Sequence, residues 1–218
     1  MISHVELLLR QELCEAGRRL HELGLVGASE GNLSARLDES HLLTTPKGRS
    51  KGSLDPEEIV KVDFSGVPAP GELMLPSSEL KVHLKAYEMR PDAQAVIHAH
   101  PSYATGFAVA GLSIPSGLFP EADMVLGKVA WVPFGMPGTQ EAADQLEDFL
   151  PEHDCFLLSH HGAVTVSRSV PECMQKMETL ERIAKVLFVA RALGGEKPLP
   201  EAAQQQLEQL TSRTGFTR

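Results

Sequence analysis

Three cysteines, no CxxC pair and no long apolar run set the first limits on this 218-residue chain. Cys14, Cys155 and Cys173 are odd in number and widely spaced, so neither a disulfide framework nor a cysteine zinc site is implied. They read as three buried thiols. No stretch reaches the ~18 apolar residues that span a membrane, and the start MISHVELLLRQEL lacks the basic segment and apolar stretch of a secretory leader. A cytoplasmic protein is expected. Positive charge is also scarce: 20 Lys and Arg stand against 29 Asp and Glu, a net charge of −9 that repels nucleic acid and anionic membranes. The nearest approach to a basic patch, Lys47, Arg49 and Lys51, is too small for a polyanion, although one or two of these can meet a single phosphate. With 42% hydrophobic and 22% charged residues, the chain has the composition of an ordinary globular protein, with a single domain as the default.

Apolar spacing supplies the elements. Leu8, Leu9, Leu13, Ala16, Leu20 and Leu23 recur at three- and four-residue steps and predict a helix from Val5 to Leu23, stopped by Gly24. Short strands are expected between Gly27 and Thr45 and from Ile59 to Phe64. Ser77 or Ser78 is expected to cap a helix carrying Leu80, Leu84 and Tyr87, which ends at Arg90-Pro91. A strand from Ala95 to His100 follows, then a helix from Gln140 to Leu150 capped by Thr139, strands Cys155 to Ser159 and Ala163 to Val166, and a long helix from Val170 to Leu193. The segment from Glu201 to Leu210 reads as a weak helix, and residues 211–218 as a mobile tail. Helix and strand alternate without repeats or an interior linker, which defines one α/β domain.

Histidine carries the chemistry. Side chains alternate along a strand, so His98 and His100 point to one face, spaced to grip one ion. Two imidazoles are too few, and His160-His161-Gly162, at the end of an apolar strand, offers a third, with the glycine allowing a sharp turn. Ser77-Ser78-Glu79 has two compatible readings. It is an ordinary helix start with a favourable acid, and it is a cradle of hydroxyls and free N–H groups for a phosphate, with Asn32 and Lys47 as further candidate donors.

Five motifs in one order, Gly31-Asn32-Leu33-Ser34, Thr45-Pro46-Lys47-Gly48, Pro76-Ser77-Ser78-Glu79, His98-Ala99-His100-Pro101 and His161-Gly162, resemble the class II aldolase/adducin family, most of all its fuculose phosphate aldolases. The resemblance runs from about Val5 to Gly194. It implies a central, mainly antiparallel sheet covered by helices, assembled as a homotetramer with active sites near subunit boundaries. It further implies zinc, or another divalent ion, on His98, His100 and His161, with Glu79 both ligating the resting ion and moving a proton. The phosphate of a small phosphorylated sugar would lie against Gly31, Asn32, Gly48, Ser77 and Ser78. The expected reaction is cleavage of a ketose 1-phosphate to dihydroxyacetone phosphate and an aldehyde, with the metal stabilising the enediolate.

Two positions depart from the family. Phe119 stands where fuculose phosphate aldolases place the tyrosine that serves the aldehyde oxygen in proton transfer, and the only tyrosines are Tyr87 and Tyr103. Glu121 is the candidate substitute. Lys47 replaces a smaller polar residue at the phosphate end. The family also holds epimerases, a dehydratase and sugar-acid phosphate decarboxylases with similar enediolate chemistry, which stand as alternatives, together with a non-catalytic adducin-like assembly module.

Overall fold

A computed structural model describes residues 2–214. Seven strands form one sheet in the order β3-β2-β1-β4-β7-β6-β5. They are β1 (Asn32–Arg36), β2 (His41–Thr44), β3 (Val60–Asp63), β4 (Ala95–Ala99), β5 (Val129–Val132), β6 (Cys155–Leu158) and β7 (Gly162–Ser167). Every pairing is antiparallel except β5 with β6. Each face carries its own core. On one, Ala95, Ile97 and Ala99 of β4 pack with Leu13 and Leu20 of α1 (His4–Glu22), Phe107 of α3 (Ser102–Val109), Leu126 of α4 (Pro120–Leu126), and Met177 and Leu180 of α6 (Val170–Ala192). On the other, Val96 packs with Leu80, Val82 and Ala86 of α2 (Leu80–Met89) and with Ala142 and Ala143 of α5 (Gln140–Asp144). The expected mainly antiparallel sheet with helices on both faces is what the chain adopts. Alternation along β4 puts His98 on the α2 side.

The capping chemistry behaves as the residue types dictate at α1, where Ser3 Oγ accepts from the Glu6 N–H at 3.1 Å. It differs at α2. Glu79, not a serine, is the residue before the helix, and it makes no side-chain cap, because its carboxylate is turned toward the histidines. Two helices and one strand went unread in the sequence. Helix α3 gains its N-terminal partner from far along the chain: the Tyr103 and Ala104 N–H groups donate to the Glu181 carboxylate at 3.0 and 2.9 Å. Strand β5 is held by its parallel partner β6. The helix expected from Gln140 to Leu150 is regular only to Asp144. Beyond it three-residue hydrogen bonds such as Leu146 N–H to Ala143 O, 3.2 Å, tighten the chain and bring Leu146 and Leu150 fully into the core. The segment from 211, expected to be mobile, continues α7 (Glu201–Thr214), and residues 215–218 lie outside the described ones. All three cysteines are buried and free.

Candidate active site

Strands β4 and β7 are hydrogen-bonded neighbours in the centre of the sheet, with His98 opposite Val164 and Ala99 opposite Ala163. The end of β4 therefore lies against the turn that opens β7. His160 makes that turn in the left-handed region, at φ 54°. Gly162, expected to supply the turn, serves instead as space: a Cβ there would lie 2.5 Å from Ala99 O, 2.6 Å from the His100 ring and 3.2 Å from the His98 ring. The three rings of His98, His100 and His161 pack with centroids 4.5 to 5.0 Å apart. One nitrogen from each comes within 4.8 Å of the others. His160 is exposed and outside this group. Gly162→Ala is expected to push the rings apart and cost at least about tenfold in divalent-metal affinity, as loss of correct ligand placement does; unchanged affinity by competition with a chromophoric chelator would refute the spatial role.

Hydrogen bonding fixes what these nitrogens offer. His98 Nδ1 lies 3.0 Å from Ala163 O, and a carbonyl only accepts, so Nδ1 carries the proton. In the neutral ring the lone pair is then on Nε2. That atom faces His100 Nε2 at 3.0 Å and a Glu79 carboxylate oxygen at 3.0 Å. The other Glu79 oxygen is 3.4 Å from His161 Nε2. Acceptors aimed at one another over such distances need a proton or a cation between them. Burial, reinforced by the neighbouring His98 and His161, lowers the His100 pKa to about 4, so the ring is neutral and able to ligate at physiological pH. Burial works against ionisation of Glu79, but the hydrogen bonds it accepts from His161 and His98 when those rings are protonated, together with their charge, outweigh it and hold the carboxyl well below the usual range. Three imidazole nitrogens and one carboxylate are the donor set of a divalent ion such as zinc. Glu30, 3.7 Å from His100 Nδ1, stands behind the ring in the manner of an orienting acid.

The anion-binding candidates fall beside this cluster. Asn32 pairs with His98 across β1 and β4, and its Nδ2 donates to Ser77 Oγ at 2.8 Å. The Glu79 N–H also donates to Ser77 Oγ, at 3.3 Å. With two donors on its oxygen, the Ser77 hydroxyl proton is free to point at a ligand. Asn32 Oδ1 is buried without a hydrogen-bond partner among the described residues. Gly31 holds φ +70°, and a Cβ there would lie 2.7 Å from Val26 and 2.8 Å from His98 O, so only glycine fits this approach. Ser78 is exposed, next to the half-buried Ser77. Gly48, φ +73°, opens on empty space.

Lys47 and Glu121 are not brought into the cluster within the chain. Lys47 is exposed, and its backbone N–H is tied to Leu75 O at 2.9 Å. Glu121 is exposed in the first turn of α4, with no hydrogen bond or ion pair among the described residues. Phe119 precedes that helix and lines an apolar cavity with Leu118, Ile183 and Leu187.

The burial of two groups beneath the site was not read from the sequence. His83 of α2 is wholly buried, its Nδ1 2.7 Å from Ser34 Oγ, which is itself 2.9 Å from the Tyr87 hydroxyl. Burial pushes its pKa down to about 3, so it is a neutral strut. Lys51 is 2% exposed. The helical period of His83 relative to Glu79 was the available signal for the first, and nothing in the sequence marked the second as buried.

The chain matches the family described as Class II Aldolase and Adducin N-terminal domain over residues 11–188. It is 32% identical over 214 residues to the 3-oxo-tetronate 4-phosphate decarboxylase of Escherichia coli K12, covering 96% of this chain and 98% of that one. It is 34% identical over 175 residues to an L-fuculose phosphate aldolase of Methanococcus maripaludis, covering 80% and 93%. Among solved structures an L-fuculose 1-phosphate aldolase superposes with TM-score 0.86 at 30% identity, covering 95% and 96%. The L-fuculose-1-phosphate aldolase of Thermus thermophilus gives 0.76 at 31%, covering 88% and 98%. This protein belongs to the class II aldolase and adducin N-terminal domain family, a family of sugar-phosphate enzymes of aldolase and decarboxylase type.

Proposed function

We propose that the protein is a divalent-metal decarboxylase of a 3-oxo sugar-acid phosphate, releasing carbon dioxide and dihydroxyacetone phosphate. The observation that carries this reading is the absence of a proton-transferring hydroxyl at position 119, where the chain has phenylalanine. In a 3-oxo acid the bond between C1 and C2 breaks, its electron pair moves toward the C3 carbonyl oxygen, and carbon dioxide leaves without gaining or losing a proton. Aldol cleavage of a ketose 1-phosphate reaches the same enediolate, but the hydroxyl that becomes the aldehyde must surrender a proton to a base. A site without that base loses little in decarboxylation and about a hundredfold or more in aldol cleavage.

His98, His100, His161 and Glu79 would hold the ion, zinc being favoured by the nitrogen-rich donor set. The ion supplies Lewis-acid stabilisation of the charge on the C3 oxygen. Ser77, Ser78, Asn32 and the backbone at Gly31 and Gly48 orient the phosphate, and Ser77 presents its proton to it. Glu79 stands where a proton can be moved at the substrate carbon that loses carbon dioxide. We read the whole chain as one catalytic unit assembled as a homotetramer, in keeping with the exposed apolar residues Val186, Phe188 and Val189 along α6.

Aldol cleavage is the second reading, favoured by the likeness to fuculose phosphate aldolases. It requires an acid or base in place of the tyrosine, and Glu121, exposed and unengaged, is its candidate. Incubation with 3-oxo-tetronate 4-phosphate and, separately, L-fuculose 1-phosphate decides between them. The decarboxylase reading expects kcat/KM at least about a hundredfold higher for the first, the size of one acid–base contribution. Faster release of aldehyde from the ketose phosphate would overturn it.

A further inference from the structure

Lys51 holds a buried positive charge that feels Glu79 but forms no ion pair with any acid among the described residues. Only 2% of the residue is exposed. Gly17 of α1 allows the close approach that seats it, since a Cβ there would lie 2.8 Å from Lys51 O. Its Nζ donates to Ser29 O at 3.0 Å and to Arg49 O at 2.7 Å. These carbonyls belong to the loops that carry Gly31-Asn32 and Gly48, the backbone of the proposed phosphate cradle. An ammonium has three N–H donors, and the third has no partner among the described residues. Burial lowers the Lys51 pKa to about 8, opposed by the charge of Glu79, so the amine is mostly protonated at neutral pH. A buried charge with no acid paired directly to it is costly, and it is relieved when an anion arrives.

We infer that Lys51, rather than the exposed Lys47, is the cation of the anion subsite: its ammonium ties the two cradle loops together and completes its charge balance with the substrate's phosphate. The sequence placed three basic residues at this end of the site, and the fold selects among them. Arg49 is committed to Glu58 in an ion pair, Lys47 lies in solvent, and Lys51 alone is turned inward between the loops. A phosphate dianion suits this position better than a carboxylate because several backbone and hydroxyl donors converge with one fixed charge.

The inference rests on the phosphate-cradle reading above, and the test separates the two. Inorganic phosphate is titrated into the metal-loaded protein by calorimetry, using wild type, Ser77→Ala, Lys47→Met, Lys51→Met and Lys51→Gln. Loss of a charge-assisted contact is expected to weaken phosphate about tenfold or more in both Lys51 variants, while Lys47→Met changes it less than about threefold. The glutamine variant keeps an amide donor for the loop carbonyls without the charge, so wild-type affinity there would overturn the inference. If Ser77→Ala weakens binding and neither Lys51 variant does, the cradle stands and the role of Lys51 falls. If none of the variants matters, the cradle is misplaced and the inference falls with it. Wild-type protein with isotope-labelled lysine gives an arm independent of any variant's folding: saturating phosphate is expected to shift the slowly exchanging buried ammonium resonance, and an unmoved resonance would count against Lys51.

Discussion

Alanine at His98, His100 or His161 is expected to reduce bound divalent metal from about one ion per chain to a small fraction of that, because each ring supplies one of the few ligands such an ion takes. The geometry makes the three substitutions nearly equivalent, since one nitrogen of each ring falls within 4.8 Å of the others. His160→Ala acts as the control. That residue is exposed and turned away, and its loss should weaken binding far less. Elemental analysis of the purified variants is the measurement. A His98/His100 double variant that retained the wild-type metal content would sink the site. Activity should follow metal content in each variant and return to the wild type alone when a chelated sample is reloaded.

Glu79→Gln separates holding the ion from doing the chemistry. The amide preserves the volume and an oxygen for the ion, so fold and most of the metal should be kept, but it cannot carry a proton to or from carbon. Turnover is expected to fall at least about a hundredfold, the usual share of a positioned acid–base group. The structure supports a dual role in one respect: the two carboxylate oxygens are divided between His98 and His161, at 3.0 and 3.4 Å, so the side chain sits at the edge of the ligand set. Near-normal turnover in Glu79→Gln with metal intact would show that Glu79 is only a ligand. A parallel loss of metal and turnover would assign the fall to the missing ion.

The helices that bury one continuous stripe were readable because period alone specifies them: α1 runs His4–Glu22 against an expected Val5 to Leu23, and α6 runs Val170–Ala192 against Val170 to Leu193. The strand Ala95 to His100 was readable for the same reason, its apolar run being buried on both faces. Elements completed by distant partners were not. Helix α3 depends on Glu181 for its first N–H groups, and β5 depends on β6, and neither dependence leaves a local pattern.

At the site, residue type and spacing nominated His98, His100, the pair His160-His161, Ser77-Ser78-Glu79 and Asn32, because imidazoles two apart on a strand and hydroxyls before a helix announce their chemistry locally, and the family resemblance chose His161 and Glu79 as ligands. Burial and pairing across the sheet are decided only when the chain closes. Closure sets Asn32 opposite His98, assigns the proton of His98 to Nδ1 through Ala163 O, and makes Gly162 a spacer rather than a turn. It also leaves Lys47 in water and encloses Lys51, although the two lysines lie four residues apart and look alike in sequence. Which charge faces a ligand depends on what surrounds it in space, and only the tertiary structure contains that.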